Sequence, residues 1–185
     1  MTLRSHVWRR IARGVLMASL LQRQLAGGAG AAGAIAVVLA CWANAPALLS
    51  GITAPADDTA SRLAFAAGWT ILPGWCLLAG VFGASRRGFY ADAIEGTRTP
   101  SARTLEINLR YNQNTIEQTI LAAIAWFGLA VAMPLDQLIL IAGMAILFAI
   151  GRVTFWVGYL IHPMARTFGM TLTVIPTIIA FAALT

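Results

Sequence analysis

The chain contains no lysine: all 13 of its basic residues are arginine, against seven acidic residues. Alongside abundant alanine and glycine, this absence reads as a composition bias of the source genome rather than as chemistry. Charge of either sign is scarce. Only 11% of the 185 residues are charged and 59% are apolar, which excludes a soluble domain of this size and indicates an integral membrane protein. Cysteine is scarce as well. Cys41 and Cys76 lie in apolar runs, as small core residues do, and suit neither a disulfide nor a metal site. His6 and His162 stand far apart, with no carboxylate or cysteine at ligand spacing, so no metal centre is expected. A Ser-His-Asp pattern, a glycine-rich phosphate loop and a CxxC pair are all missing. No basic stretch is interleaved with aromatics in the manner that grips RNA or DNA, so no nucleic-acid partner is expected. In so apolar a chain, the net charge of +6 speaks first to orientation in a bilayer.

What is present is a series of apolar segments. Residues 1–24 carry Arg4, Arg9, Arg10, Arg13 and Arg23, with Leu3, Val7, Ile11, Val15 and Ala18 at helical spacing between them. This reads as an amphipathic basic arm on the membrane surface. A cleaved signal peptide is the alternative, but the basic region is long and the apolar stretch after it exceeds a signal core. Five apolar segments follow, at about 26–49, 63–84, 114–133, 135–161 and 167–184, each near the roughly 20 residues that span a bilayer. Gly27, Gly28, Gly30 and Gly33 open the first and suit close helix packing in lipid. Pro73 interrupts the second, while Pro134 and Pro163 mark turns between later segments. The six tryptophans, at 8, 42, 69, 75, 126 and 156, are expected as interfacial anchors or packing.

Arginine placement sets the expected topology. The arm holds five, and the connection before the third segment holds Arg86, Arg87, Arg98, Arg103 and Arg110. The opposite side has Arg62 against Asp57, Asp58 and Asp136. The excess of arginine puts the N-terminus in the cytoplasm, and five spans put the C-terminus across the membrane. Residues 91–104 are expected as a solvated cytoplasmic loop.

One stretch carries chemistry. Arg110, Asn114 and Glu117 are spaced i, i+4, i+7, so a helix sets all three on one face at the mouth of an uncharged run. Ionisable groups near hydrocarbon are costly and usually face a protein interior, a cavity or a ligand. The plainer reading is a helix-start cluster, with Arg110 at the headgroups and Glu117 paired to it. The topology brings Arg152, Tyr159 and Arg166 to the same half of the membrane. Arg152 and Tyr159 share one helix face. Arg152 lies about nine residues inside its segment, roughly 13 Å deep, and needs a partner or a wet pocket. Glu117 is the obvious partner, and a structural ion pair without any ligand is one reading of the two.

Arg110-x3-Asn114-x2-Glu117, entering an apolar helix, resembles the signature of the MAPEG family (membrane-associated proteins in eicosanoid and glutathione metabolism). Gly151-Arg152-Val153-Thr154-Phe155-Trp156-Val157-Gly158-Tyr159, with Arg166 seven residues on, resembles a second block of the family. The resemblance runs from about residue 63 to 185, and it is to a bacterial-type member with an extra N-terminal helix. It implies an all-α integral membrane protein: a four-helix bundle over 63–185, an additional transmembrane helix at 25–50, and a homotrimer in a bacterial inner membrane.

It also implies glutathione as co-substrate, bound between subunits near the cytoplasmic side. Arg110, Asn114, Glu117, Arg152 and Tyr159 would hold it, and Arg166 matches the position that stabilises the thiolate in the transferases. Arg86 or Arg87 could supply a further carboxylate contact. Guanidinium forks suit the peptide's carboxylates, and a nearby guanidinium lowers a thiol pKa. The implied activity is that of a glutathione-dependent transferase or peroxidase acting on a lipophilic electrophile. Some transferases of the family carry Tyr where this chain has Phe155, and at least one branch is a non-catalytic scaffold that binds lipid mediators. The alternative function is therefore a structural or accessory subunit of a larger membrane complex, reached through the N-terminal arm and first helix.

Overall fold

The computed structural model describes residues 3–97 and 99–185, with side chains from residue 19 onward. The apolar and basic periodicity of the arm rests largely on side chains before residue 19, and Arg98 is the one internal gap; both lie outside the described residues. Seven α-helices form the described chain: α1 Leu3–Ala43, α2 Ala45–Leu48, α3 Thr59–Trp69, α4 Ile71–Ser85, α5 Arg103–Ala132, α6 Ile139–Ile161 and α7 Arg166–Ala183. Five stretches are long and apolar enough to cross a membrane: Ser19–Ala43, Thr59–Phe89, Arg103–Ala132, Leu135–Ile161 and Arg166–Ala183. The protein is thus an all-helical, multi-pass membrane bundle.

The segments expected as a surface arm and a first span lie on one continuous helix, α1. Its membrane-length part among the described residues, Ser19–Ala43, ends several residues before the expected 49, because Asn44 and Pro46 end the helix and start the short α2. The third span is longer than its uncharged core. Helix α5 starts at Arg103, so the Arg110–Glu117 stripe lies well inside the helix rather than at its start.

The second span is broken where Pro73 requires it. A proline ring clashes with the carbonyl four residues back, here that of Trp69, the last residue of α3. Thr70 bridges the break. Its N–H donates to the Ala66 and Ala67 carbonyls at 3.1 and 3.2 Å, and α4 then resumes.

Apolar burial fixes the bundle. Ala122, Ala125, Trp126 and Leu129 of α5 pack against Ile141, Ala145 and Phe148 of α6 and Ala180 of α7. Trp126 is a core residue and meets Phe148 edge to face at 6.3 Å, whereas Trp75 is largely exposed. Helix α1 lies outside the four-span bundle, with Ala34 and Val38 buried against Leu147 and Leu172. The small face read in its sequence is used there: an added Cβ at Gly30 would sit 3.4 Å from the Phe168 backbone of α7.

The two ends of the bundle differ. At one end Arg62 of α3 ties the C-terminus of α5. Its Nε donates to the Ala130 carbonyl at 2.8 Å, a second donor reaches the Met133 carbonyl, and the guanidinium pairs with Asp57 at 2.9 Å. At the other end Arg103 of α5 donates to the Leu160 carbonyl of α6 at 3.3 Å. The end of α4, the start of α5, the end of α6 and the start of α7 thus share one arginine-rich side. The loop expected over 91–104 is non-helical up to Arg103 and mostly exposed, and it is pinned by the Ser101 N–H donating to Asp92 at 2.8 Å.

Candidate functional site

Helices α6 and α7 approach each other closely, and glycine permits it. A Cβ on Gly169 of α7 would run into the Phe155 N and the Gly151 O of α6, and one on Gly158 would lie 2.6 Å from the Ala165 carbonyl oxygen. The turn between the helices is short. His162 ends α6, and its Nδ1 accepts from the Met164 N–H at 3.1 Å. Close packing and a short turn place Arg166, the first residue of α7, over the ring of Tyr159 from the last turn of α6, with guanidinium carbon to ring centroid 4.4 Å. Phe155, one turn before Tyr159, meets its ring edge to face at 5.9 Å.

A cavity of about 470 Å³ opens between α5, α6 and α7. Arg110, Asn114, Glu117, Tyr159 and Arg166 all line it, with Phe155 behind. The helical stripe of α5 therefore faces the residues that the sequence placed at the same membrane depth. Arg110 is more than half exposed and pairs with Glu106 one turn earlier, at 2.8 Å. Glu117 is exposed and accepts from Gln113 Nε2 at 2.9 Å. Both partners are i−4 neighbours on the same helix, so each charged group is held ready by a local contact.

Arg152 departs from expectation in two ways. It lines a different cavity, and it does not pair with Glu117. The guanidinium is fully buried and is bonded by neutral groups. Its Nη1 donates to Asn114 Oδ1 at 2.6 Å, while Nη2 and Nε donate to Thr173 Oγ1 at 2.8 and 3.2 Å. The rings of Phe155 and Phe148 flank it at 4.9 and 5.6 Å. The physical reason is placement. Arg152 points into the bundle, where α7 offers a hydroxyl, and Glu117 lies on the exposed face of α5.

By holding the Asn114 oxygen, Arg152 leaves the Asn114 amide N–H groups without a partner among the described residues, available to a ligand in the larger cavity. Thr173 was missed by sequence reasoning. Its only signal is its position seven residues after Arg166, two turns along the same face of α7.

Electrostatically the larger cavity offers two guanidinium groups, one carboxylate, amide N–H donors and an aromatic wall. That set can bind a small zwitterionic or polyanionic molecule and can stabilise a developing anion beside Arg166.

The family model described as "MAPEG family" matches residues 29–185, more than four-fifths of the chain. The match begins within α1, ahead of residue 63 where the motif resemblance starts, and so takes in much of the first span. No curated protein and no solved structure matches the chain.

Proposed function

Given that the chain belongs to the MAPEG family, we propose that it is a glutathione-dependent membrane transferase or peroxidase whose co-substrate occupies the cavity between α5, α6 and α7. The family is associated with glutathione and eicosanoid metabolism. The observation that carries the finer reading is the convergence of Arg110, Asn114, Glu117, Tyr159 and Arg166 on one open cavity.

Glutathione carries two carboxylates, one amine and a thiol. Arg110 takes a carboxylate, Glu117 takes the amine, and the Asn114 amide donates to the peptide. Arg152 acts through Asn114 and is a positioning residue. Arg166 lies where it stabilises the thiolate, which is the nucleophilic form of a thiol that is mostly protonated at neutral pH. In conjugation the sulfur forms a bond to an electrophilic carbon of a lipophilic substrate, and that carbon's leaving bond breaks. In peroxide reduction the sulfur attacks oxygen, the O–O bond breaks, and a second thiol completes a disulfide. The substrate reaches the site from the bilayer. Neighbouring subunits of a homotrimer close the open side of the cavity. In this reading 63–185 is the catalytic bundle, while 1–24 and 25–50 form an appended arm and span. The protein resides in a bacterial inner membrane with its N-terminus in the cytoplasm.

Calorimetry of glutathione binding to the purified oligomer, beside Glu117→Gln and Arg110→Ala, tests this, with thiolate absorbance followed in parallel. Binding that both substitutions weaken at least tenfold, and a thiolate signal lost in Arg166→Ala, supports the reading. Absence of binding by the intact oligomer overturns it.

One observation favours a second reading. Helix α1 is 41 residues long, well beyond the roughly 20 residues that a span needs. As an accessory subunit, the protein would co-purify with a partner through that extension and would still assemble after Arg166→Ala. Recovery of a homo-oligomer alone from mild detergent counts against it.

A further inference from the structure

A second polar cavity, of about 370 Å³, lies between α4, α5 and α6 and is separate from the one assigned to glutathione. Arg152 lines it, as does Arg86 from the turn that follows α4, together with Asn108, Tyr111 and Trp156. No acidic residue lines it. Arg152 is fully buried, and its hydrogen-bond acceptors, Asn114 and Thr173, are neutral. A desolvated guanidinium without a counter-ion is costly, and with a second, exposed guanidinium at the rim of a cleft that has no carboxylate it favours an anion. The cavity is otherwise built. Asn108, itself more than nine-tenths buried, accepts from Trp156 Nε1 at 3.0 Å and leans on the Gly83 carbonyl.

The mouth of the cavity indicates the source of the anion. Phe82 of α4 and Val153 of α6 flank it, and they are 66% and 60% exposed on membrane-length spans. A cavity of this size takes a headgroup but not a pair of acyl chains, which leaves the chains outside on apolar surface. Arg86 is exposed at the rim, on the arginine-rich side of the bundle, and Arg152 forms the floor.

We propose that this cavity is a binding site for an anionic phospholipid of the leaflet on the arginine-rich side. The phosphate is held by Arg86, the glycerol region reaches toward Arg152 and Asn108, and the chains lie along Phe82 and Val153. Basic pockets between transmembrane helices are suited to anionic headgroups. Because Arg152 also holds Asn114, the lipid and the larger cavity share one guanidinium.

Trp156 provides the readout. Phosphatidylglycerol with brominated chains is titrated into the full-length protein in nonionic detergent, with brominated phosphatidylcholine as the uncharged-overall control, and tryptophan quenching is followed. The expected result is a saturable component of the quenching by phosphatidylglycerol that is absent in Trp156→Phe, above the quenching of the other tryptophans, and roughly fivefold tighter than the same component with phosphatidylcholine. Arg86→Ala should erase that preference. Arg23→Ala, an equal loss of charge at an exposed position on α1, should keep it. Equal affinity for the two lipids, or an equal loss in Arg23→Ala and Arg86→Ala, overturns the proposal. Displacement of the lipid by an equal concentration of inorganic phosphate also overturns it, since the site would then be one for free phosphate. No glutathione is present, so the result stands apart from the function proposed above.

Discussion

Thr173→Val removes the hydroxyl that holds the buried Arg152 and that itself donates to the Gly169 carbonyl at 2.9 Å within α7. Valine keeps the branched shape and volume of threonine, so packing changes little, and the hydroxyl alone is removed. That hydroxyl receives two guanidinium N–H groups, at 2.8 and 3.2 Å. Hydrogen bonds to charged groups contribute about 1.5–3 kcal/mol each in soluble proteins. Those between membrane helices average about 0.6 and reach about 1.7 kcal/mol. Two such donors on one acceptor then lie between about 1.2 and about 3.4 kcal/mol, and about 2 kcal/mol is expected. That corresponds to a roughly thirtyfold shift in the unfolding equilibrium. Reversible unfolding in mixed micelles, followed by circular dichroism, reads the change directly.

The same substitution leaves Asn114 as the remaining side-chain acceptor for Arg152. Asn114→Ala and Thr173→Val should therefore couple by at least about 0.5 kcal/mol in a double-mutant cycle, because both act on one guanidinium. Glutathione affinity should fall in Thr173→Val although residue 173 does not line the larger cavity, since Asn114 is then less well fixed. A variant as stable as the parent, with unchanged glutathione affinity and additive behaviour in the cycle, would refute the account of Arg152 as a buried positioning group.

Gly169→Ala adds a methyl where Phe155 N and Gly151 O already stand; the overpacking cost of about 1–3 kcal/mol should exceed the gain of about 1 kcal/mol in helix propensity, and unfolding in mixed micelles checks the sign. Arg62→Ala strips the Ala130 and Met133 carbonyls of a shared donor and should cost about 1–3 kcal/mol, with Arg62→Lys a poor rescue because it lacks the fork. The Asp58 carboxyl is held below its ordinary value of 3.8 by hydrogen bonds from Ser61, side chain first and backbone next. A lowered folded value means that its stabilisation is present above the unfolded pKa and is lost as pH falls through the folded one, so Asp58→Asn should flatten the melting profile below about pH 4. Reporter fusions should place the N-terminus in the cytoplasm and the C-terminus across the membrane; the reverse pattern would mean that arginine placement does not orient this chain.

Much of this architecture is legible in the sequence because membrane helices announce themselves by length and apolarity. The stripe Arg110, Asn114, Glu117 is legible because helical period alone puts it on one face, and the structure has it lining one cavity with Tyr159 and Arg166. What could not be read depends on which way a side chain leaves its helix and what the neighbouring helix offers there. Arg152 and Glu117 lie at compatible depths and carry opposite charges, so depth and charge pair them. Rotation about the α5 and α6 axes parts them, and a neutral hydroxyl on a third helix takes the place of the carboxylate. The start of α5 was obscured for a related reason: its first two turns are polar and carry no apolar run, yet Leu105 and Ile107 are buried against the bundle. The break at Trp69 was signalled by Pro73, whose effect is local.

The glycine notch between α6 and α7 bears on how the site can move. With Gly169 seated between Gly151 and Phe155, neither helix can slide along the other by even one residue, a step of about 1.5 Å, without driving a side chain into backbone. Arg166 and Tyr159 therefore travel as a single rigid body. Opening or closing of the larger cavity has to come from displacement of α5 or of whatever covers its free side. Residues inserted in the turn around His162 would bulge outward and leave the spacing of the two groups intact.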